Sequence, residues 1–171
     1  STALPVPFAT FPQKITNASL NVSGDGSTIV GVATLRVADD PAGGTVLFRY
    51  RVGTSTLSLT IGTFSPALGP RAVSVNQDAS RILAGWALFD SENHQLAQFP
   101  YPFGDFRMGG HLFDYTRDVI YAHMPTSATD APVLHLLDTD NLTVRERVQL
   151  PQMIAGRSLI SSDKETVYAL S

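Results

Sequence analysis

Hydrophobic and polar positions repeat along the chain in one pattern: an apolar run, a short polar turn and a second apolar run. Units of this kind predict strand–turn–strand hairpins. Each hairpin leaves an apolar face that a neighbouring unit must bury, so the pattern predicts an all-β repeat protein. The pattern occurs at residues 20–33, 73–86 and 158–171, and in a weaker form at 111–124.

The turns of the four units align at one position, and successive turns are 53, 38 and 47 residues apart. Repeats of about 40–50 residues are typical of propeller blades, each a four-stranded antiparallel sheet. The aligned residues are Asp25, Asp78, Thr116 and Asp163. We expect the three aspartates to accept hydrogen bonds from the backbone of their own turns.

Two further strands fit between successive hairpins. β-Branched and aromatic residues favour strands at 45–52 and 56–63 in the first unit, and at 132–138 and 142–150 in the third. Prolines and a glycine at 100–104 interrupt the second unit, so its outer strands should be short or replaced by a loop. No capped segment has helical periodicity, so no helix is expected.

The predicted fold is a single all-β domain, a partial β-propeller of about three and a half four-stranded antiparallel blades. An arc of this size cannot close a ring of four to eight blades. Either the chain belongs to a longer polypeptide, or further copies complete the ring. The approximate blades are 17–64, 70–100, 109–150 and an incomplete blade at 156–171, to which 6–14 could add a strand.

Composition narrows the classes of function. Hydrophobic residues make up 43% of the chain, enough to supply the core of a globular protein, whereas charged residues make up 16%, which is low for an ordinary surface. The net charge of −3 and the scattered lysines and arginines argue against nucleic-acid binding. No apolar run approaches the roughly 20 residues that span a bilayer. Without cysteine there is no disulfide framework and no cysteine nucleophile. We expect a secreted protein, extracellular or periplasmic.

Histidines and aspartates in the third predicted blade raise the question of a metal site. If Asp114 pairs with Val119 in the hairpin, His111 pairs with Ala122, and His123 projects from the opposite face of the sheet. Imidazoles on opposite faces cannot share an ion, so neither a metal nor another cofactor is predicted. The candidate ligands considered are His111, His123, His135, Asp114 and Asp118.

No catalytic residue is predicted. The chain lacks a G-x-S-x-G elbow, and the glycine-rich segments 24–27 and 41–45 are typical of turns because no helix follows them. Arg71, Arg107 and Arg157 each precede a predicted inner strand, where they could face a central channel or lie at a solvated rim.

An irregular loop in the second unit carries the best candidate contact surface. Its aromatic residues alternate with proline and glycine, and loops carry binding residues more often than strands do. They could contact a protein or carbohydrate ligand, or instead plug the space beneath the loop. The four residues are Phe99, Tyr101, Phe103 and Phe106. Asn141, in an N-x-T sequon on a predicted turn, is a candidate glycosylation site.

Three segments carry a resemblance to a known family: IYAHMP at 120–125, LHLLDTDNLTVRERVQLP at 134–151 and VYALS at 167–171. They resemble the YVTN-type β-propeller repeat, whose blades are similar to those of quinoprotein amine dehydrogenase-like and lactonase-like propellers. The likeness covers nearly the whole chain and is best from about residue 110. It implies a blade and not an activity, because one fold serves many functions.

We therefore expect a non-enzymatic binding or scaffolding segment that acts through loops at one rim. Its expected partners are the remaining blades of the same protein, or further copies of this chain. One alternative is a set of blades from a quinoprotein- or lactonase-like enzyme, in which polar side chains from several blades would converge on one pocket. A further alternative is a structural subunit that assembles through open sheet edges.

Overall fold

The computed structural model of the protein describes residues 13–37, 44–62, 72–99 and 109–170. Within these ranges the regular structure consists of β-strands, with no helix, in four antiparallel sheets. The all-β class predicted from the sequence is confirmed. No helix in these ranges is long and apolar enough to cross a membrane.

The strands follow one another along each sheet, so every sheet is a simple meander. Sheet 1 contains β1 (Gln13–Val22), β2 (Thr28–Val37), β3 (Gly44–Arg51) and β4 (Thr56–Gly62). Sheet 2 contains β5 (Val73–Val75), β6 (Arg81–Ala84), β7 (Ala87–Asp90) and β8 (Gln95–Gln98). Sheet 3 contains β9 (Gly110–Asp114), β10 (Val119–His123), β11 (Val133–Leu137) and β12 (Val144–Gln149). Sheet 4 contains β13 (Ala155–Ile160) and β14 (Val167–Leu170).

The outer strands of sheet 2 are short, as predicted, at four residues each. The prediction of a strand–turn–strand unit over residues 73–86 is wrong in one detail, which is where its second strand ends. β6 ends at Ala84, and Gly85 and Trp86 form a tight turn in which Gly85 has a φ of 55°. The side chain of Trp86 is buried in the core although the residue lies in a turn, so an apolar residue at this position does not indicate a strand.

In three of the four hairpins that open the sheets, the aspartate predicted to cap the turn does so. Asp25, Asp78 and Asp163 each accept a hydrogen bond through Oδ1 from the backbone N–H two residues later, at 2.9, 3.0 and 3.1 Å. In the third hairpin Asp114 does this instead, accepting from the N–H of Thr116 at 3.0 Å. A carboxylate within the turn satisfies donors that the strand ladder leaves unpaired.

The first strands of the four sheets contact one another in chain order, β1 with β5, β5 with β9 and β9 with β13. Between sheets 1 and 2 lies a core that includes Val30, Leu47 and Ile82. Between sheets 2 and 3 lies a second core that includes Leu83 and Ile120. Ile82 and Leu83, which are successive residues of β6, therefore pack into opposite cores, and sheet 2 is covered on both faces.

Of the segment 6–14 considered as an extra strand, Gln13 and Lys14 lie in β1, paired with Val37 and Arg36. The remainder lies outside the described residues.

Candidate functional site

The register of sheet 3 fixes where its histidines point. Asp114 pairs with Val119, and Ala122 pairs with both His111 and His135. His111 and His135 therefore share the face toward sheet 2, whereas His123, next to Ala122, lies on the opposite face. The pairing predicted from the sequence is confirmed. The described residues contain no group of three or more histidine, aspartate or glutamate side chains arranged to hold a metal ion.

On the face toward sheet 2, His111 forms a buried pair with a serine of β5. The Ser74 hydroxyl lies 2.7 Å from Nδ1 of His111, and the two residues are only 1% and 3% exposed. Burial lowers the pKa of His111 to about 3, although the backbone of Ala72 and Gly85 opposes this shift. The ring is therefore neutral at physiological pH. The pair resembles a nucleophile beside a base, but a substrate cannot reach it, so its role is to join sheets 2 and 3.

On the edge of sheet 3 where β10 ends and β11 begins, the surface forms an open pocket of about 240 Å³. We call it the sheet-3 pocket. It lies at the end of the sheet opposite the hairpin turns, and the β10–β11 connection forms one wall. The lining residues are His123, Met124, Pro125, Asp130, Ala131, Val133, His135 and Arg147.

The carboxylate of Asp130 is fully engaged within the pocket wall. It accepts hydrogen bonds from the backbone N–H and hydroxyl of Thr126, at 2.6 and 2.7 Å, and from those of Ser127, at 3.1 and 2.7 Å. The hydroxyl of Ser127, followed by that of Thr126, holds the pKa of Asp130 well below its usual range. Asp130 therefore stays ionised and shapes the connection.

Two groups that line the pocket lack a hydrogen-bond partner among the described residues. Nδ1 of His135 is buried without a hydrogen-bond partner in the described structure. Burial, then the charges of Arg147 and His123, lower the pKa of His135, while a backbone hydrogen bond with Ala122 opposes the shift. The guanidinium of Arg147 is exposed, and no hydrogen bond or ion pair joins it to another described residue. It lies on β12 beside His135, its cross-strand partner.

The opposite imidazole, His123, is held in place by the chain itself. Its Nδ1 lies 2.9 Å from the carbonyl of Val133, and its Nε2 lies 3.0 Å from the sulfur of Met153. The ring is 1% exposed. Both ring nitrogens of His123 therefore already have partners within the chain.

Phe99 lies beside the sheet-3 pocket, half-buried. Its ring packs against the core between sheets 2 and 3, and its centroid is 6.4 Å from that of His135, at an interplanar angle of 53°. Its N–H donates to the carbonyl of Trp86 at 2.9 Å. The other aromatic residues predicted to form a contact surface, Tyr101, Phe103 and Phe106, lie outside the described residues.

Asn141 is exposed in the turn between β11 and β12, where its side-chain oxygen accepts from the N–H of Thr143 at 2.9 Å. Arg157 is exposed on β13. The other two arginines considered for a central channel, Arg71 and Arg107, lie outside the described residues.

Sequence reasoning singled out His135 but missed Arg147 and Asp130. The pairing of β11 with β12 brings Arg147 beside His135. No local sequence motif predicts a cross-strand neighbour that is twelve residues away. Asp130 carries a local signal, since serine and threonine hydroxyls three and four residues earlier are typical of a side-chain-capped turn.

No protein-family model matches the chain, and comparison with curated proteins finds no match either.

Proposed function

We propose that the chain is a run of β-propeller blades, of the YVTN-type repeat it resembles, that acts as a non-enzymatic binding scaffold. The ordered contacts from β1 through β5 and β9 to β13 support this, because inner strands of successive blades meet in the same way around a central axis. The stacking of sheets 1, 2 and 3 face to face also supports it.

Binding takes place at the rim that holds the sheet-3 pocket. The observation that carries the proposal is the exposed guanidinium of Arg147, which pairs with no other described residue and lies beside His135 at the pocket. A cationic donor, flanked by the rings of His135 and Phe99, suits a ligand that presents a carboxylate next to hydroxyl or apolar groups. Acidic carbohydrates and the acidic side chains of a protein partner have this chemistry.

Titration of the protein with glucose, glucuronate and a short glutamate-containing peptide tests the proposal. The imidazole NMR signals of His135 and His123 report binding. We expect the two carboxylate probes, but not glucose, to shift the His135 signals, and Arg147→Ala to weaken binding at least tenfold. Arg51→Ala, which removes an equal charge from the exposed last residue of β3, serves as the control.

Recovery of each probe unchanged after long incubation would support binding over the enzyme alternative. The proposal fails if no probe moves the His135 signals, or if both arginine variants weaken binding equally.

A further inference from the structure

The repeat assigns a direction to each sheet. When the four hairpins are aligned, each contributes one residue to a first position in its first strand and one to a second position. Side chains at the first position face the preceding sheet, and side chains at the second position face the following sheet. The first set is Leu20, Val73, His111 and Ser158, and the second is Asn21, Ser74, Leu112 and Leu159. The assignment follows from the alignment of the hairpins and from the alternation of side chains along a strand.

Contacts between sheets follow this assignment. Nδ2 of Asn21 donates to the carbonyl of Val73 at 3.2 Å, which joins the second position of sheet 1 to the first of sheet 2. Ser74 and His111 make the same step from sheet 2 to sheet 3. Ser158 is buried toward sheet 3, where its hydroxyl lies near Gly110 of β9.

Two sheet faces remain uncovered in the described structure, the one on sheet 1 that would face a preceding sheet and the one on sheet 4 that would face a following sheet. On sheet 1, Leu20 and Val22 hold positions whose equivalents on sheets 2 and 3 are buried, yet they are 50% and 51% exposed. Leu20 and Phe48 lie across Gly31, so the apolar face continues over β2 and β3. Isolated surface leucines are ordinary, but a continuous apolar sheet face marks an interface.

The second uncovered face is on sheet 4 and points away from sheet 3. Leu159, Tyr168 and Leu170 are 53%, 61% and 69% exposed, and with Arg157 they line a shallow depression of about 450 Å³. The residues of sheet 1 equivalent to Tyr168 and Leu170 are Val30 and Val32, which are fully buried against sheet 2.

We propose that sheet 4 of one copy of this chain docks on sheet 1 of a second copy, with Leu159 placed over Leu20. This contact would repeat, between two chains, the interface that already joins sheets 1, 2 and 3 within one chain. The second copy supplies both the apolar surface and the repeat spacing that the exposed face matches. The two faces differ, so the association is head to tail. The proposal rests on the repeat and is independent of any ligand at the sheet-3 pocket.

Two exposed leucines give a decisive test by light scattering and sedimentation velocity over a range of protein concentrations. We expect the wild-type chain to associate reversibly, and Leu20→Asp and Leu159→Asp each to be monomeric. Each variant retains one intact face, so an equimolar mixture should form a 1:1 heterodimer that does not grow further. Leu96→Asp, a matched change at a position 44% exposed on β8, should associate like the wild-type chain.

Circular dichroism spectra identical to that of the wild-type chain establish that the variants fold. A wild-type chain that stays monomeric at every concentration would overturn the proposal. So would a mixture of the two variants that fails to associate, since that outcome indicates a different surface.

Discussion

The hydroxyl of Ser74 lies 2.7 Å from Nδ1 of His111, and this contact links the inner strands of two successive sheets. It is the polar counterpart of the apolar packing around it, since both residues lie in the strands that contact each other, β5 and β9. A buried hydrogen bond of this kind fixes the relative position of the strands more narrowly than apolar contact does.

The neutral state of His111 makes stability depend on pH. Because its pKa is about 3 in the folded chain and 6.5 ordinarily, the unfolded chain gains a proton between these values that the folded chain does not. The free energy of unfolding should therefore fall as the pH decreases below about 6, by about 1.4 kcal/mol per pH unit from this group. Urea unfolding at several pH values should show a shallower dependence for His111→Gln. Parallel curves for the two proteins would contradict this prediction.

Packing between sheets 2 and 3 should dominate the stability of the central region. Leu83 is fully buried there, so Leu83→Ala should lower the free energy of unfolding by about 2–5 kcal/mol. Leu96→Ala makes the same chemical change on the surface, and its effect should stay within about 0.5 kcal/mol. Urea denaturation of both variants measures the difference. Similar losses would show that Leu83 does not lie in a core.

The first hairpin turn requires a left-handed backbone at one residue. Gly26 has a φ of 72°, and a Cβ there would meet no neighbouring atom, so the cost of Gly26→Ala is purely conformational. We expect a loss of about 1 kcal/mol in unfolding free energy. Gly53 also has open space around it and is not among the residues with positive φ, so Gly53→Ala should cause no loss. Equal effects would mean that the turn does not need this conformation.

Two arginines join successive sheets through ion pairs of different burial. Arg117 contacts Asp114 at 2.9 Å, where the carboxylate side chain is fully buried, and also contacts Glu165 of sheet 4 at 3.0 Å. Arg81 contacts Asp140 at 2.7 Å, but that carboxylate is largely exposed.

Removing Arg117 leaves a buried charge without its cation, so Arg117→Ala should lower the midpoint of thermal unfolding clearly more than Arg81→Ala does. The second change should cost less than about 1 kcal/mol. Added salt should reduce the loss in unfolding midpoint caused by Arg81→Ala more than the loss caused by Arg117→Ala, because exposed pairs are screened more strongly. The opposite ranking would refute the assignment of Asp114 as the buried member.

Much of the fold was predictable because its determinants are local. The polar turns flanked by apolar runs specify the hairpins, and aspartates such as Asp25 cap the turns as expected. Trp86 was misplaced in a strand, because an apolar run does not show where a two-residue turn divides it. The sheet-3 pocket was not predictable, since it depends on which residue of β12 lies opposite His135, and a bulge between Leu136 and Leu137 shifts that register.

The coverage of sheet 2 on both faces implies a gradient of amide hydrogen exchange along the molecule. Backbone groups in the short strand β6 are shielded from both sides, so they exchange only when the neighbouring sheets separate. β14 lies in a two-stranded sheet and its own side chains are exposed, so brief local opening suffices for its backbone groups. Deuterium should therefore enter β14 within the earliest labelling times and reach β6 last, although β6 is among the shortest strands of the protein.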